Sequence, residues 1–253
     1  LVVAVINLAL FVVAFGVFSA GTALLAGLLV LWTVAMVVRV NHQRQIGGAV
    51  RVGANQLPEL AAQAARAAEI VQSPAVQVFV TQDGRLSAYS FGWDAPQVIV
   101  LSSRMVDTMD NDEMRFVLGH EMGHIALGHT RLGTVFGGVV GVPAMANLAN
   151  FLLPGFYWWK RCAEFSADRA GALACRDLNR SISALVKLMV GKSLAEKINL
   201  EEIMQQANEL TNQIPALAGE INATHPYLIY RVRQLVQFWN SPECHRLLRQ
   251  MEA

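Results

Sequence analysis

The sequence predicts an α+β protein, mainly helical, with a small β-sheet in its main domain and an N-terminal transmembrane hairpin ahead of it. Three observations predict this. The chain holds 20 Lys and Arg and 19 Asp and Glu, yet only Arg39 lies in its first 40 positions. Short β-type runs fall between Val76 and Leu101. Helix-type patterns then fill most of Asn111 to Asn240.

The anchor comes first in the chain. Leu1 to Val38 carries no charge, and Asn7, Ser19, Thr22 and Thr33 are its main polar interruptions. A secretory signal has an apolar core of about 7–15 residues, so this stretch is too long for one. A spanning helix needs about 20 residues, which leaves room for two with a turn near Ser19-Ala20-Gly21; one long tilted helix is the alternative. Residues 1–40 are therefore read as an anchor in the lipid bilayer, and 41–56 as a basic juxtamembrane linker. Arg39, His42, Arg44 and Arg51 precede the first acid, Glu59. By the positive-inside rule this end faces the cytoplasm, which makes the chain an integral protein of the inner or plasma membrane with a cytoplasmic domain over 57–253.

Within that domain, Pro58 opens an Ala-rich helix from Leu57 to Val71, and Ser73-Pro74 ends it. Val76–Val80, Arg85–Phe91 and Gln97–Leu101 read as strands, with Asp83-Gly84 as a turn. Asn111-Asp112-Glu113 offers N-terminal helix chemistry ahead of a helix to about Arg131. Further helices are expected at 160–177, 181–190, 194–213 and 226–240.

Composition narrows the function. The apolar share is 54%, the charged share 15% and the net charge +1, so nothing favours nucleic acid as a partner. Cys162, Cys175 and Cys244 form neither an even set nor a metal-type pair, and read as buried thiols in a reducing compartment.

His120-Glu121-Met122-Gly123-His124 has the form H-E-x-x-H. Four residues advance a helix by about 400°, so the two histidines share a face one turn apart, where both imidazoles can bind one zinc. Glu121 beside them can take a proton from an attacking water. Phe116, Val117, Leu118, Ile125, Ala126 and Leu127 make this a buried helix, in which polar groups are costly unless paired or metal-bound. A catalytic zinc needs a third protein ligand. Glu164 and Asp168 lie four apart, so both carboxylates point one way. Glu164 can complete the ligand set, and Asp168 can accept the outer N–H of a ligand histidine. Without the upstream motif they would read as a solvated acidic face.

At these residues the sequence resembles the HtpX-like membrane zinc metalloproteases of peptidase family M48, which includes prenyl-protein endopeptidases. The resemblance runs from about Val76 to Trp239. It rests on His120–His124 with His129 behind it, on Glu164-x-x-x-Asp168, and on Thr224-His225-Pro226 followed by Arg231. It implies a zincin-type domain binding one zinc through His120, His124 and Glu164, with Glu121 as base, and polypeptides as substrates. Many relatives carry two further spanning helices between the motif and the third ligand. Here Leu132 to Trp159 is uncharged but too short for two crossings of about 20 residues each, and His124 and Glu164 must meet at one metal. The segment is expected to lean into the membrane surface, with Tyr157, Trp158 and Trp159 as an interfacial belt, or to cover the site. A buried core loop is the plain alternative.

The expected reaction is peptide-bond hydrolysis. His225, Tyr227, Tyr230 and Arg231 are candidate donors to the oxyanion. His225 has two other readings, as a ligand that caps the zinc and as a helix-start residue touching only backbone. His129, five residues beyond His124, lies about 140° round an ideal helix and reads as structural or surface-facing. Arg85–Phe91 or Gln97–Leu101 is expected to offer an edge to extended substrate. The expected role is removal of misfolded or surplus membrane proteins. The competing readings are a processing endopeptidase for lipidated C-termini and a non-enzymatic membrane adaptor or chaperone with a structural zinc. Glu121 argues against the last. A homo-oligomer or a membrane-protein partner is compatible with the sequence and not specified by it.

Overall fold

The computed structural model describes residues 2–93, 95–133, 146–211 and 226–251, with the backbone alone at some positions of the first helix and of the helix that begins at Ala146, and at 210–211. The chain opens on α1 (Val2–Gly47), one continuous helix where a hairpin is expected. The polar residues at and beside the expected turn are satisfied inside the helix: the Ser19 and Thr22 hydroxyls donate to the carbonyls of Gly16 and Ser19, each at 2.9 Å. Among the described residues, which in α1 include no side chain before Gly16, no helix is long and apolar enough to cross a membrane.

Four strands follow: β1 (Ala49–Arg51), β2 (Val76–Thr81), β3 (Ala88–Phe91) and β4 (Gln97–Ser102). They form one sheet in the order β1-β2-β4-β3, parallel between β2 and β4 and antiparallel at both edges. The expected linker 41–56 is thus partly α1 and partly sheet. β1 is only three residues long, too short for an alternation signal. All six residues of β4 are buried. Its unbroken Val98-Ile-Val-Leu101 run is what a strand covered on both faces requires. This corrects one expectation: Gln97–Leu101 is an interior strand and cannot be an edge, whereas β3 is one.

The sheet has two apolar faces. Val78, Ile99 and Leu101 join the main core with Leu60, Ala64 and Ala67 of α2 (Pro58–Val71), while Phe79, Val98 and Val100 pack with Ile46 at the end of α1. After the short α3 (Ser103–Thr108) comes the central helix, α4 (Asn111–Ala126). Its cap is Asp110, one residue before the expected signal. Asp110 Oδ1 accepts from the Asp112 and Glu113 N–H groups at 3.0 and 2.9 Å, and Glu113 accepts from the Asp110 N–H at 2.8 Å, closing a capping box. Glu113 is fully buried and also receives Lys187 Nζ at 2.5 Å and the Ser183 hydroxyl at 2.6 Å. The start of α4 is thereby tied to α6 (Leu178–Val190).

α5 (Ala146–Cys175) begins well before the expected residue 160 and continues through Pro154. Its first half is the C-terminal part of the apolar segment 132–159; residues 134–145 lie outside the described residues. α7 (Lys192–Ala195) and α8 (Leu200–Thr211) divide the helix expected over 194–213, and α9 (Leu228–Trp239) and α10 (Pro242–Gln250) complete the chain. α10 is absent from the sequence-level expectation.

Candidate metal centre

The site is built where α4 crosses α5, and the crossing is close because glycines there face alanines and backbone. A Cβ on Gly119 would lie 2.4 Å from the Ala174 Cβ, one on Gly123 2.6 Å from the Ala170 Cβ, and one on Gly171 2.7 Å from the Phe116 carbonyl oxygen. Gly119 and Gly123 stand next to His120 and His124 on the helix. The contact that removes bulk from one face therefore turns the adjacent face, with its imidazoles, toward Glu164 and Asp168.

His120 Nε2 and His124 Nε2 approach to 3.2 Å. The Glu164 carboxylate lies 3.6 Å from each, through Oε2 to His120 and Oε1 to His124. Tetrahedral zinc with ligand distances near 2.05 Å separates its ligand atoms by about 3.3 Å, so the two nitrogens are spaced for one ion, with the Glu164 carboxylate beside both. Asp168 Oδ1 lies 3.0 Å from His120 Nδ1. A carboxylate can only accept, so Nδ1 donates and His120 Nε2 keeps its lone pair for a metal.

Arg231 enters from α9. Its Nε and one terminal nitrogen donate to the two oxygens of Asp168 at 2.8 and 2.6 Å, and the other terminal nitrogen stands 3.4 Å from Glu164 Oε2. The sequence offers Arg231 as one of four candidate oxyanion donors; the structure gives its guanidinium to Asp168 and Glu164. Glu121, Glu164, Asp168 and Arg231 are all buried. Three buried carboxyl side chains thus share this site with one guanidinium. Burial opposes ionisation of Asp168 and Glu164. Arg231 outweighs it at Asp168; the His124 hydrogen bond and then Arg231 outweigh it at Glu164. Both carboxyls are held below the usual carboxylate range, Glu164 well below. Burial lowers the Arg231 pKa, yet Asp168 more than restores it, so the guanidinium stays charged.

One residue escapes the sequence reading. α4 ends at Ala126, and Gly128 takes φ +76°, after which the chain turns into a short helical stretch over 129–133. The bend brings the His129 Nδ1 to 3.1 Å from the His124 Nδ1, instead of leaving it 140° away on a continued helix. His129 also meets the edge of the Trp159 ring, centroid to centroid 5.6 Å. Burial, and then neighbouring His124, push its pKa down to about 4. Gly128 was the available signal, since glycine favours the left-handed turn that ends a helix. Of the other candidates, Tyr230 is buried in the core, Tyr227 is exposed, and His225 lies outside the described residues. Trp158 is exposed, while Trp159 is turned to His129.

This arrangement, a histidine pair on one helix and a carboxylate from a second, coincides with a sequence match: residues 53–238 fit peptidase family M48. The chain belongs to that family. It is 28% identical over 229 residues to a protein of Arabidopsis thaliana named plastoglobule-localized metallopeptidase 48, chloroplastic, covering 85% of this chain and 67% of the relative. It is 26% identical over 204 residues to protease HtpX of Acinetobacter baylyi, covering 66% of each. It is 25% identical over 231 residues to a protease HtpX homolog of Moorella thermoacetica, covering 74% of each. The chain thus spans about two thirds to three quarters of these relatives. As an M48 peptidase it is a metallopeptidase, and the described residues that could hold a metal together are His120, His124 and Glu164.

Proposed function

We propose that this M48 peptidase is a zinc-dependent endopeptidase, held in a membrane by residues 1–40, that cuts misfolded or surplus membrane proteins at the cytoplasmic face. The observation that carries the reading is the grouping of ligand atoms: two imidazole nitrogens at 3.2 Å, with the Glu164 carboxylate 3.6 Å from each through a different oxygen. Two lone pairs and an anion so close to one another call for a cation between them. His120, His124 and Glu164 would hold it. When bound, zinc supplies Lewis acidity that polarises a carbonyl and acidifies water.

The chain's own residues do the rest. Glu121 takes the proton of the water whose oxygen adds to the peptide carbonyl carbon. It returns that proton to the amine nitrogen as the C–N bond breaks. Asp168 holds the tautomer of His120, and Arg231 holds Asp168 and Glu164 in register, so Arg231 is a positioning residue. β3, as a sheet edge, offers backbone N–H and C=O groups to an extended substrate; this selects for unfolded chain more than for a side-chain sequence. The membrane location is supported by the uncharged stretch Leu1–Val38, and the orientation by Arg39, Arg44 and Arg51 beyond it.

Digestion of casein by the detergent-purified full chain tests the enzymatic part. Cleavage should stop with a zinc chelator and return with added zinc. Undiminished cleavage in chelator overturns the zinc reading.

A further inference from the structure

Each metal-facing histidine needs something at its other nitrogen, and the two have different partners. His120 gives its Nδ1–H to the Asp168 carboxylate at 3.0 Å. His124 has the His129 ring, Nδ1 to Nδ1 at 3.1 Å, with the two rings nearly edge to face at 69° and centroids 5.2 Å apart. For His124 Nε2 to present a lone pair, its proton must sit on Nδ1. Its nearest partner, His129 Nδ1, must then accept, which leaves the His129 proton on Nε2.

We propose that His129 is a positioning residue that fixes the tautomer and ring orientation of His124, as Asp168 does for His120, and that Trp159 holds the His129 ring for this task. The Trp159 ring meets His129 at 87° and 5.6 Å, and Phe156 stacks on Trp159 at 5.5 Å. Trp159 is on α5, five residues before Glu164. The helix that delivers the third ligand thus also braces the residue that orients the second. The left-handed Gly128 makes the geometry possible by turning the chain back on the last turn of α4. The outcome is two unlike ligands. His120 leans on an anion and is the stronger electron donor; His124 leans on a neutral acceptor and responds to whatever displaces His129.

The inference rests on the zinc reading above, and the test separates the two. Zinc affinity is measured by chelator competition on the purified full chain for wild type, His129→Ala and His129→Asn, and the unfolding midpoint is measured on each without metal. Asn carries its side-chain oxygen on Cγ, as His carries Nδ1, so it keeps an acceptor where one is needed while losing most of the ring. His129→Ala should loosen zinc by about 10-fold or more, in line with outer-partner substitutions at other metal sites, and His129→Asn should recover most of that loss. Both variants remove the same ring from beside Trp159, so their metal-free midpoints should fall together. Wild-type affinity in His129→Ala overturns the proposal. So does equal loss in Ala and Asn, which marks a packing role. Complete loss of zinc in both variants, matching His120→Ala, overturns it in favour of His129 as a ligand. A wild-type chain that binds no zinc overturns this inference together with the zinc reading; wild-type binding with an unaffected Ala variant removes His129 alone.

Discussion

Glu121 and Arg231 are both buried charges beside the metal ligands, and they differ in what removing them should do. Glu121 contributes a proton step and little else, so Glu121→Gln should keep zinc and fold while cutting turnover by about 10²–10⁴-fold, measured as casein or peptide hydrolysis. Wild-type turnover in that variant would remove Glu121 as the base. Arg231 is the sole described guanidinium on Asp168, bound through two nitrogens. Arg231→Leu strands two buried carboxylates and should cost about 3–5 kcal/mol in denaturant unfolding of the metal-free protein; Arg231→Lys should not restore it, because an ammonium cannot make the fork. Acid tests the same pair. Asp168 and Glu164 titrate lower folded than unfolded. Their contribution is therefore whole above the unfolded carboxyl value near pH 4, and is lost as pH falls through the folded values. Metal-free wild type should lose stability steeply below about pH 4, and Arg231→Leu should show a shallower slope.

At the scale of elements, the crossing of α4 and α5 governs the site. Gly123→Ala puts a methyl 2.6 Å from the Ala170 Cβ, so the helices must part or the neighbour must yield. The cost should be about 1–3 kcal/mol, with a larger relative loss of zinc affinity than of stability, because the ligand set spans the crossing. Gly123→Ala combined with Ala170→Gly removes the clashing atom and should restore zinc affinity; failure to do so would mean the glycine matters for something other than the approach. The sequence made α4 and its chemistry readable, since the H-E-x-x-H spacing, the acidic cap region and the apolar flanks all agree. The start of α5 was not readable, because Pro154 and Gly155 signal a break that the helix overrides. β1 and α10 were too short to show a period. The bend at Gly128 brought His129, read from the sequence as structural or surface-facing, beside His124. Helix-wheel arithmetic cannot anticipate this, since it assumes the helix continues.

For the whole molecule, the α+β class, three of the four strands and the two pairs, His120 with His124 and Glu164 with Asp168, follow from local spacing; that the pairs meet was expected from the need for a third ligand and from the family resemblance. The position of Arg231 depends on how α9 packs against α5, a long-range fact that no spacing carries; only its sign and its place on the last long helix hinted at it. The anchor is tested by topology. Single cysteines placed near Arg51 and near Glu196, in a chain lacking its own three, should label from the same cytoplasmic side in intact cells. Labelling from opposite sides would mean that a segment between them crosses the membrane. The central claim is that His120, His124 and Glu164 together hold one catalytic zinc. Elemental analysis of the purified full chain beside Glu164→Ala tests it most directly: the account predicts about one zinc per wild-type chain and a clear loss in the variant. Equal zinc in both, or none in the wild type, would contradict it.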